Sequence, residues 1–134
     1  MPRASATRVL VVEDQPANRG RLTMLLNQIG IEMVVETGSG RDALATLERA
    51  PVDLIISDRD AAEVDGMTLL RTIRGHPATA QLPFIMTSSR GDPEDVKSAI
   101  GLGVTDYVVK PFTPAAMRRR IEAVLGNSGR LTER

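Results

Sequence analysis

Val9-Leu10-Val11-Val12-Glu13-Asp14 is apolar at four successive positions and then carries two carboxylates. A strand with one wet face alternates apolar and polar residues. An unbroken apolar run suits a strand covered on both faces, as in a parallel sheet flanked by helices. Leu54-Ile55-Ile56 has the same character, and shorter runs at Met33 to Val35, Phe84 to Met86 and Tyr107 to Val109 bring the set to five. Between them, apolar residues recur at helical spacing: Leu22, Leu25, Leu26 and Ile29; Leu44 and Leu47; Met67, Leu70 and Ile73; Val96, Ala99 and Ile100; Met117, Ile121, Val124 and Leu125. The pattern predicts a doubly wound α/β fold with a five-stranded parallel sheet and five helices. The breaks agree with it. Gly30 ends the first helix, Gly38 and Gly40 flank the start of the second, Gly75 and Pro77 close the third, Pro93 suits the first turn of the fourth, and Gly103 stops it. Met24, Met33, Met67, Met86 and Met117 fall within the apolar patterns and are expected in the core.

At 134 residues, with 42% hydrophobic and 25% charged residues, the chain fits one globular domain. No apolar run approaches the roughly 20 residues of a membrane span. The start, Met1 to Thr7, lacks the apolar core and cleavage site of a signal peptide, so a cytoplasmic location is expected. The lack of cysteine excludes disulfides and thiolate sites. Seventeen basic residues balance seventeen acidic ones, so no overall field draws nucleic acid or an anionic membrane. Five arginines from Pro114 onward (Arg118, Arg119, Arg120, Arg130 and Arg134) stand against Glu122 and Glu133. With three aromatics in the whole chain to support base stacking, they read as a solvated helix face.

Ligand sites of open parallel sheets lie beyond the carboxyl ends of the strands, where the strand order reverses. After the first apolar run come Glu13 and Asp14, after the third Asp58, after the fourth Thr87 and Ser88, and after the fifth Lys110 and Pro111. Carboxylates gathered at one edge repel, and a shared proton or a bound cation relieves them. Mg²⁺ is the better candidate, because it takes oxygen ligands and leaves positions for phosphate oxygens. With Lys110 opposite, such a site suits a phosphoryl group, and Asp58 is the natural nucleophile for an aspartyl phosphate. Fifteen of the seventeen cations are arginine, so a compact ammonium at position 110 is an uncommon choice in this chain.

Taken singly these residues have plainer uses. A Glu-Asp pair after a strand often caps a helix, Asp58 suits a turn, Thr87 a backbone hydrogen bond, Lys110 a solvated charge and Tyr107 half-buried packing. Asp14 fits both the cap and the metal. His76, the single histidine, sits at a helix end in Gly75-His76-Pro77, where a dipole contact is expected. The joint placement at four strand ends is what favours the phosphoacceptor reading.

These pieces together resemble the receiver domain of two-component response regulators, in the single-domain form of chemotaxis regulators. The resemblance covers about residues 7 to 126. It rests on Val9 to Asp14, on Asp53-Leu54-Ile55-Ile56-Ser57-Asp58, on Val64-Asp65-Gly66, on Pro83-Phe84-Ile85-Met86-Thr87-Ser88, and on Gly103 through Tyr107 to Lys110-Pro111-Phe112. It implies a flavodoxin-like strand order 2-1-3-4-5, a receiver domain at residues 8–126, and tails at 1–7 and 127–134. By the same resemblance Glu13, Asp14, Asp58 and the backbone carbonyl of Asp60 hold Mg²⁺. Asp58 accepts the phosphoryl group of a sensor histidine kinase or histidine phosphotransfer protein, or of a small acyl phosphate. Thr87 and Lys110 then bind phosphoryl oxygens. Tyr107 turns inward, and the face made by the fourth helix, fifth strand and fifth helix changes for a downstream protein target, with a homodimer possible. The Lys110–Pro111 bond is expected to be cis.

The chain departs from the family after the phosphoacceptor, reading Asp58-Arg59-Asp60-Ala61-Ala62-Glu63 where a Met-Pro or similar pair is usual. A looser loop is expected there. The added carboxylate of Asp60 has three open roles: repelling the phosphoryl group, positioning a hydrolytic water, or facing solvent. Three other functions compete. A haloacid-dehalogenase-like phosphatase would use Asp58-Arg59-Asp60, but that motif usually follows the first strand. A flavin mononucleotide carrier would find its phosphate repelled by Glu13 and Asp14. A pseudo-receiver adaptor would keep the fold without the chemistry.

Overall fold

The computed structural model describes residues 6–127. Among them the strands are β1 (Arg8–Val12), β2 (Met33–Thr37), β3 (Leu54–Asp58), β4 (Phe84–Ser88) and β5 (Asp106–Val109). The helices are α1 (Pro16–Gln28), α2 (Gly40–Arg49), α3 (Gly66–Arg74), α4 (Pro93–Gly101) and α5 (Pro114–Asn127). The strands form one parallel sheet in the order β2-β1-β3-β4-β5, the predicted doubly wound arrangement.

Successive side chains of a strand point to opposite faces, so each apolar run fills two cores. Val9, Val11, Leu54, Ile56 and Ile85 pack with Leu22, Leu25 and Leu26 of α1 and Met117, Ile121 and Leu125 of α5. Leu10, Val12, Ile55, Phe84 and Met86 pack on the other face with Ala43, Leu69, Leu70, Ile73 and Ala99 from α2, α3 and α4. Burying one such side chain is worth about 1.5–3 kcal/mol, which accounts for the unbroken apolar character of the central strands.

Helix ends follow local chemistry. Ser39, Asp65 and Asp92 cap α2, α3 and α4 with side-chain oxygens that accept the N–H groups of Asp42, Thr68 and Asp95. Gly30 and Gly103 take positive φ where their helices stop.

The core expectation fails at two methionines. Met24 is 62% exposed on the outer side of α1, and Met33 is exposed on β2, which is an edge strand. Ile100, given by helical spacing to the inner face of α4, is also exposed. A nine-residue helix lets Ala99 carry the contact with the sheet while its neighbour faces outward. Of the expected tails, Ala6, Thr7 and Asn127 fall among the described residues, and Thr7 is buried. Arg130, Glu133 and Arg134 lie outside them. Arg118, Arg119 and Arg120 are exposed as expected, with Arg118 paired to Glu122 and Arg120 to Asp106.

Candidate phosphoacceptor site

The chain leaves β1 for β2 on one side and returns to β3 on the other, so the carboxyl ends of β1 and β3 flank the reversal of strand order. Register brings the ends level: Val12 pairs with Thr37 and Ser57, Asp58 with Thr87, and Ser88 with Val109. Backbone bonds then carry each loop past its strand. Glu13 N donates to Thr37 O at 3.0 Å, Arg59 N to Thr87 O at 2.8 Å, and Lys110 N to Ser88 O at 2.7 Å.

Glu13, Asp14 and Asp58 converge as the sequence predicts, each with a carboxylate oxygen within 4.8 Å of the others. Asp14 does not cap α1. Pro16 starts that helix and makes Gln15 the cap residue, which leaves the Asp14 carboxylate to the cluster. Glu13 is 2% exposed; its Oε1 accepts the N–H of Gln15 and its Oε2 accepts Lys110 Nζ at 3.0 Å. Lys110 Nζ also lies 3.4 Å from Asp58 Oδ2. Burial pushes the Glu13 pKa up; the hydrogen bond and charge of Lys110 oppose this, and the charge of Asp58 adds to it. For Lys110 burial works downward, but the bond to Glu13 and the charges of Asp58 and Glu13 outweigh it, so the ammonium is held above its ordinary value.

Thr87 is 1% exposed beside Asp58 in the register. Tyr107 is half-buried, and its hydroxyl donates to the carbonyl of Arg90 at 2.7 Å. The Lys110–Pro111 peptide is cis. Asp60 N donates to Asp58 Oδ1 at 3.2 Å, whereas the Asp60 carboxylate turns away to Arg59 at 3.2 Å and Arg90 at 3.6 Å. Two guanidinium groups thus engage the carboxylate whose role the sequence left open. A pocket of about 480 Å³ has Glu13, Thr87, Lys110, Leu22, Leu25 and Phe112 among its lining residues.

The loop after Asp58 is better tied than its sequence suggests. Ala61 is buried, Gly40 N donates to Ala62 O at 3.0 Å, and Gly66 N donates to Arg59 O at 2.8 Å. Ser39 and Ala62 form an isolated parallel bridge, so the turn before α2 supports this loop from outside.

Sequence reading missed Arg19, Arg59 and Arg90. Arg59 crosses from the residue after Asp58 to Asp95 in the first turn of α4, with Nη2 3.0 Å from Oδ1. Arg19 donates to the carbonyl of Glu13 at 2.7 Å. A signal existed for Arg19. Once Pro16 fixes the first helical position, a side chain on that first turn leans back toward the strand end.

The fold and this cleft define a doubly wound α/β protein with an acidic centre opposed by one lysine. The chain belongs to the response regulator receiver domain family, whose model matches residues 9–122. A probable chemotaxis protein CheY from Rhizobium etli is 34% identical over 123 residues, which cover 92% of this chain and 95% of the relative. The signal receiver domain of a signal transduction histidine kinase from Syntrophus aciditrophicus has a TM-score of 0.86 at 29% identity, over 96% of this chain and 97% of that one. The receiver domain of a sensor histidine kinase from Pseudomonas aeruginosa, solved with a magnesium ion coordinated in its active-site cleft, has a TM-score of 0.81 at 28% identity, over 90% and 98%. Membership implies a phosphoacceptor role in a two-component system, with sensor histidine kinases and downstream targets as partners. Receiver domains are signalling proteins, generally not classed as enzymes.

Proposed function

We propose that this protein, working in the cytoplasm, takes a phosphoryl group onto Asp58 in a Mg²⁺-dependent transfer and presents the result on the face made by α4, β5 and α5. One observation carries the reading: three carboxylates at the ends of β1 and β3 lie within 4.8 Å of one another, with Lys110 against two of them. The donor set is all oxygen and anionic, the set a hard divalent cation prefers, and the magnesium in the Pseudomonas receiver supports the same choice. Glu13, Asp14, Asp58 and the Asp60 carbonyl would hold the ion, which supplies charge neutralisation at the transferring group. The receiver unit is taken as residues 8–126, close to the span that the family model matches.

The residues divide the work. Asp58 attacks phosphorus, forming an oxygen–phosphorus bond as the nitrogen–phosphorus bond of a phosphohistidine breaks, and the imidazole nitrogen keeps the electron pair. Lys110, already within 3.4 Å of Asp58, needs a small displacement to pair with a phosphoryl oxygen. Thr87 offers its hydroxyl to another. Tyr107, tied to the Arg90 carbonyl, links that movement to the loop before α4. Phosphorylation adds charge in a cleft whose cations are few, and redistribution of those cations biases the α4-β5-α5 face.

Incubation with acetyl phosphate, followed by heteronuclear NMR with and without Mg²⁺, tests the reading. It predicts Mg²⁺-dependent shifts at Asp58, Thr87 and Lys110 that extend into α4 and β5. Shifts without Mg²⁺, or shifts confined to the site, would contradict it.

A further inference from the structure

The backbone of Glu13 is held at both of its peptide groups. Its N–H donates to Thr37 O at 3.0 Å, and its carbonyl accepts Arg19 Nη1 at 2.7 Å. Arg19 is itself anchored: its Nε lies 3.4 Å from Glu36 Oε1, and Glu36 Oε2 accepts the hydroxyl of Thr23, one turn further along α1, at 2.7 Å. The guanidinium rests against Gly38, where an added Cβ would stand 3.4 Å from Nη1. Arginine, with separately directed N–H groups in a rigid fork, can serve the carbonyl and the carboxylate together; a lysine ammonium has no such fixed geometry. The next residue, Asp14, is exposed, and among the described residues no donor holds its carboxylate. The backbone that Arg19 holds is therefore what sets the Cα–Cβ direction of Asp14.

Resting on the Mg²⁺ reading above, we infer that Arg19 is a positioning residue for the cation site, orienting the Glu13–Asp14 peptide so that Asp14 faces Glu13 and Asp58. Geometry and charge make opposite demands here. A guanidinium behind the acidic pair repels a dication, so charge alone predicts tighter Mg²⁺ binding when Arg19 is lost, whereas positioning predicts weaker binding. Arg19→Lys separates the two, because it keeps the charge and removes the fork.

The test is calorimetric titration of the unphosphorylated protein with MgCl₂, for wild type, Arg19→Lys, Glu36→Gln and Arg71→Lys, the last an exposed position on α3. Arg19→Lys is expected to raise the Mg²⁺ Kd about tenfold, in line with the loss of other ligand-orienting partners. Glu36→Gln should raise it by less, and Arg71→Lys should leave it unchanged. With acetyl phosphate, the half-saturating Mg²⁺ concentration of Arg19→Lys should rise while its rate at saturating Mg²⁺ approaches that of wild type. An unchanged Kd in both Arg19→Lys and Glu36→Gln, with thermal midpoints lowered equally with and without Mg²⁺, would make Arg19 merely structural and overturn the inference alone. If Arg19→Lys does not fold, Arg19→Gln decides by the same Kd, because charge alone then predicts tighter Mg²⁺ binding and positioning predicts weaker binding. A wild-type protein that binds no Mg²⁺ would overturn both the site reading and this inference.

Discussion

Lys110 reaches across the end of the sheet to Glu13, 97 residues away in sequence, with Nζ 3.0 Å from Oε2. The bond satisfies a carboxylate that is 2% exposed and leaves the ammonium beside Asp58. Removing one partner of such a pair leaves the other charge without compensation. Lys110→Ala is expected to destabilise the protein by about 1–2 kcal/mol, discounted for the partial exposure of the lysine, against less than ~0.5 kcal/mol for Lys97→Ala. Urea unfolding of the two variants checks it. In the phosphorylated protein, Lys110→Ala should also weaken the switch more than Lys97→Ala does.

The same pair sets an alkaline pH dependence. The folded-state pKa of Lys110 is raised, so the folded protein holds this proton more tightly than the unfolded chain does. Its stabilisation is complete below the ordinary lysine value of about 10.4 and is lost as pH rises through the folded value. Between wild type and Lys110→Met, the difference in unfolding free energy should be constant near neutrality and shrink at the alkaline end. A difference that grows with pH would contradict a raised folded-state pKa for Lys110.

Arg59 and Asp95 join the phosphoacceptor loop to α4 through a pair in which both side chains are 18% exposed. Arg41 and Glu63 form a comparison pair at 3.6 Å, with side chains 76% and 53% exposed. Asp95→Asn should cost about 1 kcal/mol and Glu63→Gln close to zero, since exposed pairs contribute little and less-hydrated ones more. Denaturant midpoints report the contrast.

Two glycines give opposite forecasts. A Cβ at Gly66 would stand 2.6 Å from Asp58 O and 2.8 Å from Arg59 Cα, both backbone atoms that cannot rotate away. Gly66→Ala should therefore displace the loop bearing Asp58, lowering stability by roughly 1–3 kcal/mol and slowing phosphoryl uptake. Nothing lies within 4 Å of a Cβ at Gly20, inside α1. Gly20→Ala is expected to add about 0.5–1 kcal/mol and leave uptake unaltered.

What the sequence revealed and what it hid have physical causes. The unbroken run Val9 to Val12 could serve only a strand covered on both faces, and the fold followed from it. Glu13, Asp14, Asp58, Thr87 and Lys110 were legible because a parallel sheet places every strand end at one edge. Met24, Met33 and Ile100 were misplaced because apolar spacing gives a helix a face, or a strand a side, without saying how much of it a neighbour covers. The arginine contacts were hidden for a different reason. Long flexible side chains at exposed-looking positions choose partners by tertiary proximity, as Arg59 chooses Asp95, and no local spacing encodes that choice. The loop after Asp58 looked slack because its support comes from Ser39 and Gly40 on another connection.

The most direct measurement is the intact mass of the protein after incubation with acetyl phosphate, with and without Mg²⁺, for wild type and Asp58→Asn. A gain of one phosphoryl group is expected in wild type with Mg²⁺, and no gain in Asp58→Asn or without the ion. The same gain in Asp58→Asn would place the phosphoryl group on another residue and remove Asp58 from the role of phosphoacceptor. No gain in wild type at saturating Mg²⁺ would remove it as well and leave an adaptor that binds its partners without phosphorylation.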